Sequence, residues 1–130
     1  MKLLNQSILA ITTFGLATVA MAADPLANTT WQTYEDGKPK ALVRITESGG
    51  VLTGKIISGN TEKAKQYVGR TVITGLKAEG GGKYAHGRIT NPVDGKSYGL
   101  AGSLSNGNRT LKLTAYWGVV PVKSQTWRKH

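Results

Sequence analysis

Tyr84, His86 and Arg88 stand at alternate positions of one stretch, Lys83 to Thr90. Period-two spacing puts them on one face of a β-strand. A phenol, an imidazole and a guanidinium on one face are binding groups. The first two give and take hydrogen bonds, and the third grips a carboxylate or phosphate with a planar fork. Tyr98 and Trp117, on two later strand-like stretches, add large rings that either line a pocket or fill a small core. Tyr84, Arg88, Tyr98 and Trp117 are therefore the candidate ligand-binding residues. If Tyr84 and Arg88 face inward, so does His86, and a buried guanidinium then wants an anionic ligand or one of the chain's few acids. The opposite phase gives an apolar interior lined by Ala85, Ile89 and leucines. A shift of one residue exchanges the two faces, so both phases stay open.

Other chemistries lack their partners. His86 and His130 are the only histidines and there is no cysteine, so no metal sphere and no disulfide is expected. Nucleophilic catalysis needs a base beside the nucleophile, and nothing marks a partner for His86. Glu35, Glu47 and Glu79 fall at strand ends or turns, where no carboxylate pair for glycoside cleavage is marked. Gly95-Lys96-Ser97 has the end of a phosphate-binding loop, but Thr90 occupies the place of its first glycine. No catalytic residue and no cofactor is assigned, and the chain is not read as an enzyme.

The elements that must position these residues are strands and turns in steady alternation. Gly87 to Tyr98 is the middle hairpin, with Asn91, Pro92, Asp94 and Gly95 as its turn. Strands are predicted at Trp31 to Glu35, Ala41 to Glu47, Val51 to Ser58, Arg70 to Lys77, Lys83 to Thr90, Ser97 to Ser105, Thr110 to Trp117 and Lys123 to Lys129. Gly59 to Gly69 is the one long connection, with a helical turn at Thr61 to Gln66. Eight short antiparallel strands joined by hairpins suit an all-β closed barrel, whose interior fills with side chains or holds one small ligand. A two-sheet β-sandwich is the alternative.

Met1 to Ala22 reads as a secretory signal peptide: Lys2, an apolar run, then Ala20-Met21-Ala22 as a small-x-small cleavage site. The apolar run is interrupted by Thr12, Thr13, Gly15 and Thr18, so a spanning helix is not expected after processing. Residues 23–130 then form a single domain in the periplasm or medium. Loss of Lys2 takes the formal charge of the chain from +10 to +9. Such a surface favours anionic partners, including an anionic envelope surface, although the cations are dispersed. No aromatic-basic motif for nucleic acid is present.

The order Trp31-x-Thr33, Asp36-Gly37, Val43-x-Ile45, Gly54-Lys55-Ile56, Gly87-Arg88-Ile89-x-Asn91-Pro92, Gly95-Lys96-x-Tyr98 and Gln125-Thr126-Trp127-Arg128 resembles the bacterial DUF2147 family. The resemblance implies small exported proteins with a lipocalin-like, calycin-type barrel, and it brings no enzymatic activity. It also likens Trp31 and Arg128 to the tryptophan-arginine pair that closes one end of such barrels, with Trp31, Trp127 and Arg128 as structural residues. The chain departs from the family at Asn91, where an aspartate is expected, and in lacking a cysteine pair in the long loop. The function expected is binding or carriage of a small apolar or anionic amphiphile, such as a fatty acid, in the barrel interior. An envelope interaction module with a basic outer surface is the alternative, and a cavity of a few hundred cubic ångströms would favour the carrier.

Overall fold

The computed structural model describes residues 23–130, so the leader expected at Met1 to Ala22 lies outside the described residues. The strands run in chain order as β1 (Thr29–Glu35), β2 (Lys38–Ser48), β3 (Val51–Gly59), β4 (Thr71–Gly80), β5 (Lys83–Thr90), β6 (Ser97–Ser105), β7 (Thr110–Trp117) and β8 (Val120–Lys129). Asp36-Gly37 and Asn106-Gly107-Asn108 reverse the chain with positive φ, as short hairpins of right-twisted strands require. Each strand pairs antiparallel with its sequence neighbour, and β8 returns to β1 to close a barrel. The sandwich alternative is thereby excluded.

Closure is uneven. Seven register pairs join β1 to β2, whereas the β1–β8 seam holds Trp31 opposite Lys129 and Gln32 opposite Arg128. Inward residues alternate along the strands except where register shifts interrupt β4 and β5, and the fully buried side chains Trp31, Ile45, Leu52, Ile73, Leu76 and Leu111 fill the axis.

The two ends differ. One carries the β2–β3, β4–β5 and β6–β7 turns and both described termini. It is plugged by the turn Asp24–Asn28, with Leu26 fully buried beneath it. The other carries the β1–β2, β5–β6 and β7–β8 turns and the long connection, whose helical turn α1 (Glu62–Lys65) forms where the sequence places it. The Thr61 hydroxyl accepts from the Ala64 amide at 3.0 Å as N-cap, and Ala64 is buried.

Candidate functional site

Neither simple phase holds along β5. Tyr84 is buried and faces inward, and so is Gly87, two positions of opposite parity. A β-bulge between them, with His86 at φ 67°, changes the phase in mid-strand. Arg88 then lies opposite Thr74 and Gly99 on the outer face and is exposed. The expectation of an inward guanidinium beside Tyr84 is corrected: Arg88 does not reach the interior. His86 is also exposed, with Nε2 at 3.4 Å from Glu79.

Tyr84 belongs to the plugged end. Its hydroxyl donates to Asp24 Oδ2 at 2.6 Å, and the same oxygen accepts the Leu26 amide at 2.9 Å. Burial, then the Asp24 hydrogen bond and the charges of Asp24 and Glu47, push this phenol well above its ordinary range. Trp31 completes the plug by donating Nε1–H to the Thr29 hydroxyl at 2.7 Å. Trp127 is 3 % exposed and donates to Gln125 Oε1 at 3.1 Å. Both indoles are core residues. Arg128, however, is exposed and stands opposite Gln32, on the outer face, while Trp31 faces the axis. Arg128 and Trp31 thus lie on opposite faces of the sheet and do not form the end-closing pair that the resemblance implies. The cation–π contact present here is Arg70 over Tyr67, 5.8 Å from the ring centroid.

Tyr98 and Trp117 meet at the open end. Their centroids are 6.1 Å apart and their planes 61° from parallel, an edge-to-face pair. Tyr98 faces inward beside Ile89 and is half-buried, whereas Trp117 is 68 % exposed and rises above the barrel rim. A register shift between Ala115 and Tyr116 sets Trp117 opposite Val120. On the same side of the hairpin, Ala115 stands opposite Lys123 and Leu113 opposite Gln125. Lys123 thus occupies the inner-face phase of β8, is exposed, and has no carboxylate within 4.0 Å among the described residues. Because β8 parts from β1 above Trp127, this inner face is open to solvent.

The sequence reading placed Tyr98 and Trp117 in one site, and the structure brings these two together. It does not bring Tyr84 or Arg88 to them. Val120 and Lys123 were missed, as was the plug of Asp24 and Leu26. For Val120 the signal is the apolar run Val119-Val120-Pro121-Val122, at a hairpin tip where turn chemistry is ordinarily polar; nothing comparable marks the plug.

Two depressions on the described surface lie outside the barrel. One, of about 450 Å³, runs over the outer face of β5, β6 and β7 beside Lys83, Ala85, Ala101 and Ser103. The other, of about 240 Å³, lies against the β1–β2 turn at Lys38, Pro39 and Thr61. The plugged half of the interior is packed with side chains, and the inner-face residues left partly in water, Tyr98, Ala115, Trp117 and Lys123, lie toward the opposite end. Among the described residues, no three His, Asp or Glu side chains gather into a metal site.

The model of the family described as uncharacterized proteins conserved in bacteria, DUF2147, matches residues 29–129. Among curated proteins, none matches this sequence significantly. Among solved structures, the protein HP1028 from Helicobacter pylori, described as belonging to the lipocalin family, is similar in fold. It is 22% identical, with a TM-score of 0.62, over 79% of this chain and 82% of that one.

Proposed function

We propose, for a chain that belongs to the DUF2147 family and folds as a lipocalin-like barrel, that it is an exported, non-enzymatic binder of a small apolar or anionic amphiphilic molecule such as a fatty acid. The observation that carries this reading is the Tyr98–Trp117 pair, held edge-to-face at the open end with much of its ring surface in water. An apolar chain laid against these rings and Ala115 removes that surface from water, which is the main drive for such binding. Lys123 stands on the same side of the hairpin and supplies a cation for an anionic head group. The ligand sits in the mouth and not along the axis, because the axis is filled.

Calorimetric titration of the chain from Ala23 with a fatty acid and with the alcohol of equal length tests the site. Trp117→Ala is expected to weaken both ligands about tenfold, the value of losing a ring contact. Lys123→Met should weaken the acid two- to fivefold, in the range of an exposed ion pair, and leave the alcohol unchanged. Arg88→Met should change neither, because Arg88 lies on the outer wall. Absence of binding to the parent protein, or full affinity in Trp117→Ala, refutes the assignment. Intact mass of the protein recovered from the exported fraction tests processing, with Ala23 expected as the first residue.

A further inference from the structure

Among the described residues, the large apolar side chains that remain exposed are Ile57, Val68, Val93, Trp117, Val119, Val120 and Val122, from 44% to 91% accessible. Single exposed apolar residues are ordinary on any surface. These are not scattered: every one lies on β3, the long connection, the β5–β6 turn or the β7–β8 hairpin, at the open end of the barrel. The most exposed form the hairpin tip, Trp117-Gly118-Val119-Val120, with Val119 at 91%. Trp117 packs by its edge on Tyr98, but Val119 and Val120 at the projecting turn remain 91% and 57% exposed.

The charges of that end indicate what covers it. Its ion pairs are Lys40 with Glu35 at 3.5 Å and Lys65 with Glu62 at 2.7 Å. Lys38, Lys63, Arg70, Lys96 and Lys123, from the same turns and connection, have no carboxylate within 4.0 Å among the described residues; Asp36 and Asp94 are the unpaired acids of these turns, so the end keeps an excess of cations. A second copy of a chain of formal charge +9 without Lys2 would meet this end with like charge. An apolar tip carrying an indole, on an end with more cations than acids, instead complements a surface that is anionic in its head groups and apolar just beneath them.

We propose that the open end docks on an anionic bilayer surface, with the Trp117–Val120 tip inserted at the boundary of head groups and acyl chains. Lys38, Lys63, Arg70, Lys96 and Lys123 then lie over the anionic head groups, and the mouth faces the lipid. This goes beyond binding of a dissolved ligand: it shares Trp117 and Lys123 with that site but adds Val119 and the flanking cations, on which the test below turns.

The test uses the chain from Ala23 and vesicles of phosphatidylcholine with or without phosphatidylglycerol. Trp31 and Trp127 are buried, so the fluorescence that changes on binding comes from Trp117. Expected are co-sedimentation with the anionic vesicles that weakens with salt, a blue shift of the emission, and quenching by brominated acyl chains. Val119→Asp should lower partitioning at least tenfold, and Lys96→Gln about fivefold, the effect of one cation near an anionic surface. Both positions are exposed, and an unchanged thermal midpoint confirms that the variants fold. Titration of Val119→Asp with fatty acid in the absence of vesicles keeps the two questions apart, since the ligand site should survive that change. The proposal is overturned by equal binding to neutral and anionic vesicles, by binding without a shift in Trp117 emission, or by a dimer that Val119→Asp dissociates.

Discussion

Three tryptophans on three strands behave in two ways. Trp31 and Trp127 are buried to within 3%, whereas Trp117 is 68% exposed. Trp31→Ala should lower unfolding free energy in urea by about 3–5 kcal/mol, the usual range for a buried ring. Trp117→Ala should change it by less than about 1 kcal/mol, because little packing is lost. That large rings lie on strands was legible in the sequence; which of them face water was not, since the same residue type serves core and rim. Tyr84 carries a second consequence. Its phenol is held above its ordinary range by burial and by Asp24, so the folded state keeps a proton that the unfolded chain releases near pH 10. The stability tied to this proton is present below about pH 10 and falls as the pH rises beyond it. Tyr84→Phe has no such proton, and urea melts between neutral and alkaline pH should show a smaller alkaline loss for the variant than for the parent. Equal losses would mean that the plug does not hold the phenol.

At the scale of elements, turn residues and alternation placed all eight strands and the helical turn of the long connection, because Gly, Asp, Asn and Pro interrupt the chain where it reverses. The phase of β5 was not legible. His86 looks like an ordinary strand residue, yet it takes φ 67°, while across the β4–β5 pair Gly75 takes φ 66°. Bulges of this kind arise from closing a sheet into a barrel and not from the local preference of the residues that carry them. The long connection is held by a close approach at Gly59. A Cβ there would stand 2.6 Å from the Lys65 nitrogen and 2.8 Å from the Ala64 carbonyl carbon. Backbone atoms cannot turn aside, so Gly59→Ala should push α1 off β3 and lower stability by about 1–3 kcal/mol, as overpacking does. Greater proteolysis between Asn60 and Arg70, with thermal melting, measures this; an unchanged melt and an unchanged cleavage rate would show that α1 is not fixed to the barrel by this contact.

For the whole molecule, the seam decides how the barrel opens. The sequence indicates closure, because eight hairpin-linked strands leave two edges to join. It does not show how far the join extends, which depends on where β1 bends. The β1–β2 register shifts between Thr33 and Tyr34, one residue beyond the last β1–β8 pair, so β1 turns away from β8 there. From Val120 to Thr126, β8 keeps β7 on one side and presents the other as a free edge. Pro121 removes a donor and Lys123 adds a charge on that edge, both devices that discourage pairing with foreign strands. Amide hydrogen exchange should therefore divide the sheet. Amides of β2, β3 and β7 in the packed half should exchange only through global unfolding, whereas the seam-facing amides from Val120 to Thr126 should exchange with little protection. A fatty acid seated on Tyr98 and Trp117 covers the inner face of this hairpin, so saturating ligand should slow those amides in particular. At a hundred times its dissociation constant it should also stabilise the fold by about 2.7 kcal/mol. Seam amides as protected as those of β7 in the free protein would mean that the barrel is zipped along its whole height and that the mouth is not open to a ligand from the side.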